Sequence, residues 1–142
     1  MHDQLFVNLP VADLPRSKAF FEALGYRFEP RFTNESGACL VLGDRLFAML
    51  LTRPFFQGFT PKAIADATRT TEVLNALPCG SRAEVDALIA KVLAAGGRVA
   101  RPPQDLGFMY SQAYEDLDGH IWELFHMDMA AADAASGGAA AA

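Results

Sequence analysis

The amino-acid sequence predicts an α+β fold built from two tandem βαβββ modules. Two observations predict it. An apolar run closed by Leu-Pro occurs twice, as Leu5-Phe6-Val7-Asn8-Leu9-Pro10-Val11 and as Val73-Leu74-Asn75-Ala76-Leu77-Pro78-Cys79, at an offset of 68 residues. After each copy the same features follow in the same order: a capping residue, a stretch with helical spacing, a glycine and three strand-like runs. Past the helix the offset grows to 71, from Gly25 to Gly96, so the second helix is about one turn longer.

In the first copy Asp13 is the expected N-cap, Pro15 sits in the first turn where its missing N–H costs nothing, and Phe20, Phe21 and Leu24 form the buried stripe. Three strands are expected next, over Tyr26 to Phe32, Ala38 to Leu42 and Leu46 to Leu51, separated by polar turns at 33–37 and at Gly43-Asp44. Between the copies lies the apolar cluster Pro54 to Phe59. Thr60 as cap, with Pro61 behind it, then predicts a short helix through about Ala67. In the second copy Ser81-Arg82-Ala83-Glu84 is a capping box, Val85, Leu88, Ile89, Val92 and Leu93 repeat at helical spacing, and Gly96 ends the helix. Strands are expected over Arg98 to Arg101, Ser111 to Tyr114 and His120 to Met127, the last two joined by Asp116-Leu117-Asp118-Gly119. The predicted organisation is a first module over 1–58, a linker with its short helix over 59–71, a second module over 72–129 and a tail over 130–142. That tail is alanine-rich, has nothing large to bury and is expected to be disordered.

Composition narrows the functional classes. The chain has 142 residues, with 12 Lys and Arg against 17 Asp and Glu, and carries a net charge of −5. A domain of this size buries enough surface to fold without disulfides or a structural metal. Cys39 and Cys79 stand in apolar stretches without metal-ligand spacing, which fits buried thiols in a reducing, cytoplasmic compartment. The acidic balance and the lack of a basic cluster speak against a nucleic-acid partner. No run reaches the roughly 18 apolar residues of a membrane span, and His2-Asp3-Gln4 lacks the basic start of a signal peptide, so neither membrane nor secretion is expected. No nucleophile triad, phosphate-binding glycine loop or dinucleotide fingerprint is present.

Paired βαβββ modules, with Asp13-Leu14 opening the first helix and Asp116-Leu117-Asp118-Gly119-His120-Ile121-Trp122-Glu123-Leu124 near the end, resemble the vicinal oxygen chelate superfamily of glyoxalase I, bleomycin-resistance proteins and extradiol dioxygenases. Phe6 to Val11, Met49-Leu50-Leu51-Thr52 and Gly107-Phe108-Met109-Tyr110 are most similar to its group of predicted lactoylglutathione lyases. The resemblance implies a curved mixed sheet around one cleft, and a divalent metal held by side chains from the first and last strand of each module. Such a metal needs nitrogen or oxygen donors. The resemblance places those ligand positions at Phe6, at Leu74, at one of Met49 to Leu51, and at Glu123; only Glu123 is a donor. His120 and His126 are an odd number of residues from Glu123 and so point to the opposite face of its strand. Glu72 could join Glu123 in a rearranged site.

No metal or other cofactor is therefore expected, with a divalent metal kept as the less favoured option. The cup implied by the resemblance would be lined by Phe6, Asn8, Met49, Leu51, Leu74, Tyr110 and Phe125, with Glu123 as the catalytic candidate, set among apolar groups that raise its pKa unless Asn8 or Tyr110 supplies hydrogen bonds. Two classes remain open. One is a protein that binds a small apolar or aromatic molecule without metal. The other is a lyase or dioxygenase that uses a divalent metal, or Glu123 as acid and base. The cluster Phe55-Phe56-Gly58-Phe59 reads as a lid or a homodimer contact.

Overall fold

Each copy of the repeat closes its own four-stranded mixed sheet, as seen in a computed structural model that describes the backbone of residues 1–140 and the side chains of 1–134. In the first sheet β1 (Leu5–Val11) runs parallel to β4 (Leu46–Thr52), which pairs antiparallel with β3 (Gly37–Gly43), and β3 pairs with β2 (Arg27–Glu29). The second repeats the plan, with β5 (Leu74–Pro78) parallel to β8 (Ile121–Met127), then β7 (Met109–Glu115) and β6 (Arg98–Asp105). A parallel neighbour cannot be reached by a tight turn, and the helices α1 (Leu14–Ala23) and α3 (Arg82–Ala94) open the two crossovers. The predicted βαβββ order forms twice.

The chain divides into two compact units, Met1–Thr70 with Leu117–His120, and Thr71–Asp116 with Ile121 onward. The four-residue turn assigned from sequence to the second module thus belongs to the first unit. There Asp118 accepts hydrogen bonds from the Ala12 N–H at 2.8 Å and the Ser17 hydroxyl at 3.2 Å, and His120 Nε2 donates to the Pro10 carbonyl at 2.7 Å.

Alternation decides which residues of each sheet face its helix. In the first unit Leu9, Val11, Ala38, Leu40, Ala48 and Leu50 are buried together with Phe20, Phe21 and Leu24 on the α1 side. In the second, Tyr114, Trp122 and Leu124 are buried with Val85, Ile89 and Val92 of α3. Trp122 carries a polar atom into that core, and its indole N–H donates to Asp116 at 3.0 Å. Both helices are capped as expected: Asp13 accepts from the Arg16 N–H and Ser81 from the Glu84 N–H, each at 3.1 Å. Glu84 returns a bond to the Gly80 N–H at 2.6 Å, one residue before the position a strict capping box uses.

Three expectations are corrected. The strand foreseen from Tyr26 to Phe32 is only Arg27–Glu29, because Pro30 starts a 3-10 turn over Pro30–Phe32. The linker helix foreseen from Thr60 to Ala67 does not form; the helix lies earlier, as α2 (Arg53–Gln57) with Pro54 in its first turn. The Gln57 amide then donates to the carbonyls of Thr60 and Lys62, at 3.0 and 2.8 Å, and holds the following chain out of helical geometry. The tail foreseen as disordered is helical over α4 (Met129–Ala140). Alanine has the strongest helix propensity, and Asp128 caps this run by accepting from the N–H groups of Ala130 and Ala131. The last two residues of the predicted tail, 141 and 142, lie outside the described residues. Among the described residues no helix is long and apolar enough to cross a membrane.

Candidate functional site

The face of each sheet turned away from its helix carries most of the candidate residues. In the first unit Phe6 is 46% exposed and stacks on Phe47, with ring centroids 4.8 Å apart and planes 12° from parallel. Asn8, Met49 and Leu51 lie on the same face, as does Cys39. Phe55 of α2 approaches the end of this face: a side chain on Gly37 would meet Leu51 at 2.9 Å and Phe55 at 3.9 Å.

Backbone register settles which residue of Met49 to Leu51 is equivalent to Glu123. Asn8 faces Met49 across β1 and β4, and Ala76, 68 residues on from Asn8, faces Glu123 across β5 and β8. The register continues outward. Glu29, Cys39, Met49 and Asn8 form a row across the first sheet; Arg101, Ala113, Glu123 and Ala76 form the corresponding row across the second.

Glu123 is not the isolated carboxylate that the sequence suggested. Arg101 Nη2 donates to Glu123 Oε2 at 2.8 Å and to the Ser111 hydroxyl at 2.8 Å, reaching across β7 over the small side chain of Ala113. Simple alternation from Arg98 would have put Arg101 on the α3 side. The β6 ladder slips between Val99 and Arg101, and the extra residue, Ala100, turns Arg101 over to join Glu123. Arg101 is the functional candidate that sequence reasoning missed. No local signal marks that slip; Pro102-Pro103, two residues without N–H groups, mark only a second one further along the ladder.

Leu74 and Phe125 share the Glu123 face, Leu74 being 56% exposed. Tyr110 does not. It lies on the α3 side, where its hydroxyl donates to Asp86 and accepts from the Gln112 amide at 3.1 Å, so its expected place in the cup is corrected. The bond to the Asp86 carboxylate pushes the Tyr110 phenol pKa up. The Arg82 guanidinium covers its ring at 5.1 Å and binds Asp105 through two bonds of 2.7 and 3.0 Å. That fork lowers the Asp105 pKa to about 2. Glu72 precedes β5 and is exposed. Burial pushes the Cys39 thiol up and the Cys79 thiol to about 11, so neither is a thiolate nucleophile at neutral pH.

Residues 4–43 match the family of bleomycin resistance protein-like N-terminal domains. The hypothetical protein SA1046 from S. aureus is 29% identical, with 89% of this chain and 95% of that chain covered and a TM-score of 0.75. A glyoxalase-related enzyme from Fulvimarina pelagi is 23% identical over 89% and 88% of the two chains, with a TM-score of 0.74. The fosfomycin resistance protein FosX from Mesorhizobium loti is 19% identical over 89% and 93%, at 0.65. The fold is the glyoxalase/bleomycin resistance fold. No curated protein sequence matches the chain.

The metal-dependent chemistry that the resemblance implies needs a donor set, and the residues at the implied positions do not supply one. Phe6 and Leu74 offer only carbon, Met49 offers a thioether, and the carboxylate of Glu123 is held by a guanidinium that would repel a divalent cation. Among the described residues no three His, Cys, Asp or Glu side chains converge as a metal-binding group would. A divalent metal does not fit the residues present.

Proposed function

We propose that this glyoxalase/bleomycin-resistance-like protein binds a small apolar or aromatic molecule, and does so without a catalytic divalent metal. One observation carries the reading: the half-exposed, stacked Phe6–Phe47 pair beside Met49, on a sheet face with no metal donor set. An exposed pair of parallel rings is costly in water and is relieved by an apolar partner. The resemblance of residues 4–43 to bleomycin resistance proteins, and of the whole fold to a fosfomycin resistance protein, supports a role in taking up a small foreign compound. The lyase or dioxygenase alternative loses its basis in the donor set, and Glu123 as acid and base loses its isolation.

A thermal-shift screen of the metal-free full chain tests this. An aromatic compound present at about a hundred times its Kd should add roughly 2.7 kcal/mol of stability, a rise of several degrees in Tm. Phe6→Ser should abolish that rise while leaving the ligand-free Tm nearly unchanged. Stoichiometric metal in the purified protein, lost in Glu123→Gln, would overturn the proposal.

The same reading includes self-association through Phe55 and Phe59, which are 44% and 71% exposed and pack edge to face at 5.2 Å. Light scattering at micromolar concentration should give twice the chain mass, and the Phe55→Ser, Phe59→Ser double variant should give the chain mass alone.

A further inference from the structure

We infer that the second unit's Arg101–Glu123–Ser111 cluster is a receptor for an oxyanion, so that a ligand held on this unit's sheet face is an apolar or aromatic body bearing a carboxylate. The inference rests on the ligand-binding reading above and applies it to the second unit's own sheet face, where Leu74 and Phe125 take the apolar body. Three features of this unit carry it.

The first is aim. The backbone slip at Ala100 turns Arg101 away from the α3 core and onto the face of Glu123, and bulges are where strands re-aim a side chain. The second is clearance. On either side of Glu123 the row holds only the methyl groups of Ala113 and Ala76, and along the strands the same face continues into Phe125 and the 56% exposed Leu74.

The third is the count of free donors. Arg101 spends Nη2 on Glu123 and Ser111, and one Nη1 proton on the Pro102 carbonyl at 3.3 Å. Its Nε–H and its second Nη1–H have no acceptor among the described residues. The Ser111 hydroxyl, in a residue only 3% exposed, accepts from Arg101 and has its own proton unspent. Three donors thus stand against one vacant carboxylate oxygen of Glu123. The bonds to Glu123 and Ser111 anchor the guanidinium, which fixes the direction of the donors before anything binds. Charge-assisted bonds from a guanidinium to a carboxylate are the strong ones, and an apolar surround strengthens them further. A cationic ligand would have only the one oxygen, already neutralised by Arg101.

Titration calorimetry of the full chain with 1-naphthoate and its neutral isostere 1-naphthamide tests this. Wild type should bind the naphthoate at least tenfold tighter, and Arg101→Met should bind both alike. Glu123→Gln removes the anion that competes for Arg101, so it should tighten naphthoate several-fold and leave naphthamide unchanged. That gain keeps the test decisive even if Arg101→Met fails to fold. Equal affinities on wild type, or weaker naphthoate binding in Glu123→Gln, overturn the inference while leaving apolar binding intact. Failure of both compounds to bind overturns the binding proposal as well.

Discussion

The two cross-strand rows occupy the same places in the two sheets and share almost no chemistry. In the first unit the row reads Glu29, Cys39, Met49, Asn8; in the second it reads Arg101, Ala113, Glu123, Ala76. The outer charge changes sign and the central residue changes from a thioether to a carboxylate. In the second row the two charges meet at 2.8 Å; in the first, Glu29 turns to Arg31 and Arg27 in its own neighbourhood. A shared backbone plan fixes where a side chain stands and on which face, because register and alternation are backbone properties. It leaves open what the side chain is, least so on the helix side, where most of the buried groups in both units are apolar.

That contrast is broken if the helix sides prove as tolerant as the rows. The largest effect is expected for Trp122→Ala, about 3–5 kcal/mol, with Leu50→Ala costing about 2–5 kcal/mol, both read by urea unfolding. Glycines sharpen the same division. Gly119 has φ +89°, and an added Cβ would lie 2.7 Å from the Ala67 carbonyl oxygen, so Gly119→Ala should cost well above 1 kcal/mol. Gly25, at φ +103° with open space around it, should cost only about 1 kcal/mol when changed to Ala. Equal losses of Tm would mean that the turn at Leu117–His120 is not held as described. Next come the caps: Asp13→Ala and Ser81→Ala should each lose about 1 kcal/mol, and a much larger loss at Ser81 would show that the Glu84–Gly80 bond is coupled to it.

The smallest effect is a pH dependence confined to the second unit. The Asp105 carboxyl is held at about 2, below its ordinary value of 3.8. A depressed carboxyl stabilises the fold above its unfolded pKa and loses that contribution as pH falls toward the folded one, so the window is roughly pH 4 to 2. Asp105→Asn should flatten the fall in urea midpoint across that window. The exposure of both partners keeps the effect small, and 1 M salt should weaken it.

Much of the fold was legible because its signals are local. Ser81, Asp13 and the spacing of Val85, Ile89 and Val92 each act within one or two turns of chain, and the Leu-Pro repeat fixed the equivalence of β1 and β5. Glu123 and Phe125 were read onto one face by alternation alone. Arg101 was not legible, since its partner lies 22 residues away across two strands and its facing depends on a ladder slip that alternation does not foresee. Tyr110 was misplaced for a related reason: its face follows from pairing with His126, which no local pattern announces. The helix at Arg53–Gln57 displaced the expected one because the Gln57 amide captures the carbonyls of Thr60 and Lys62, a contact chosen by the fold rather than by propensity.

The repeated proline that first revealed the duplication also governs what the sheets do at their borders. β1 and β5 are the outermost strands of their sheets, each with a row of backbone groups that β4 or β8 does not use. The Pro10 carbonyl points into that outer row, where it accepts from His120, and the Cys79 N–H is spent on Phe125 at 2.7 Å, which turns Pro78 outward as well. At both places the ring nitrogen offers a foreign strand no hydrogen. An incoming chain that tried to extend either sheet would lose a rung near the strand's end, so the prolines act as stops against edge-to-edge polymerisation and fibrillar growth.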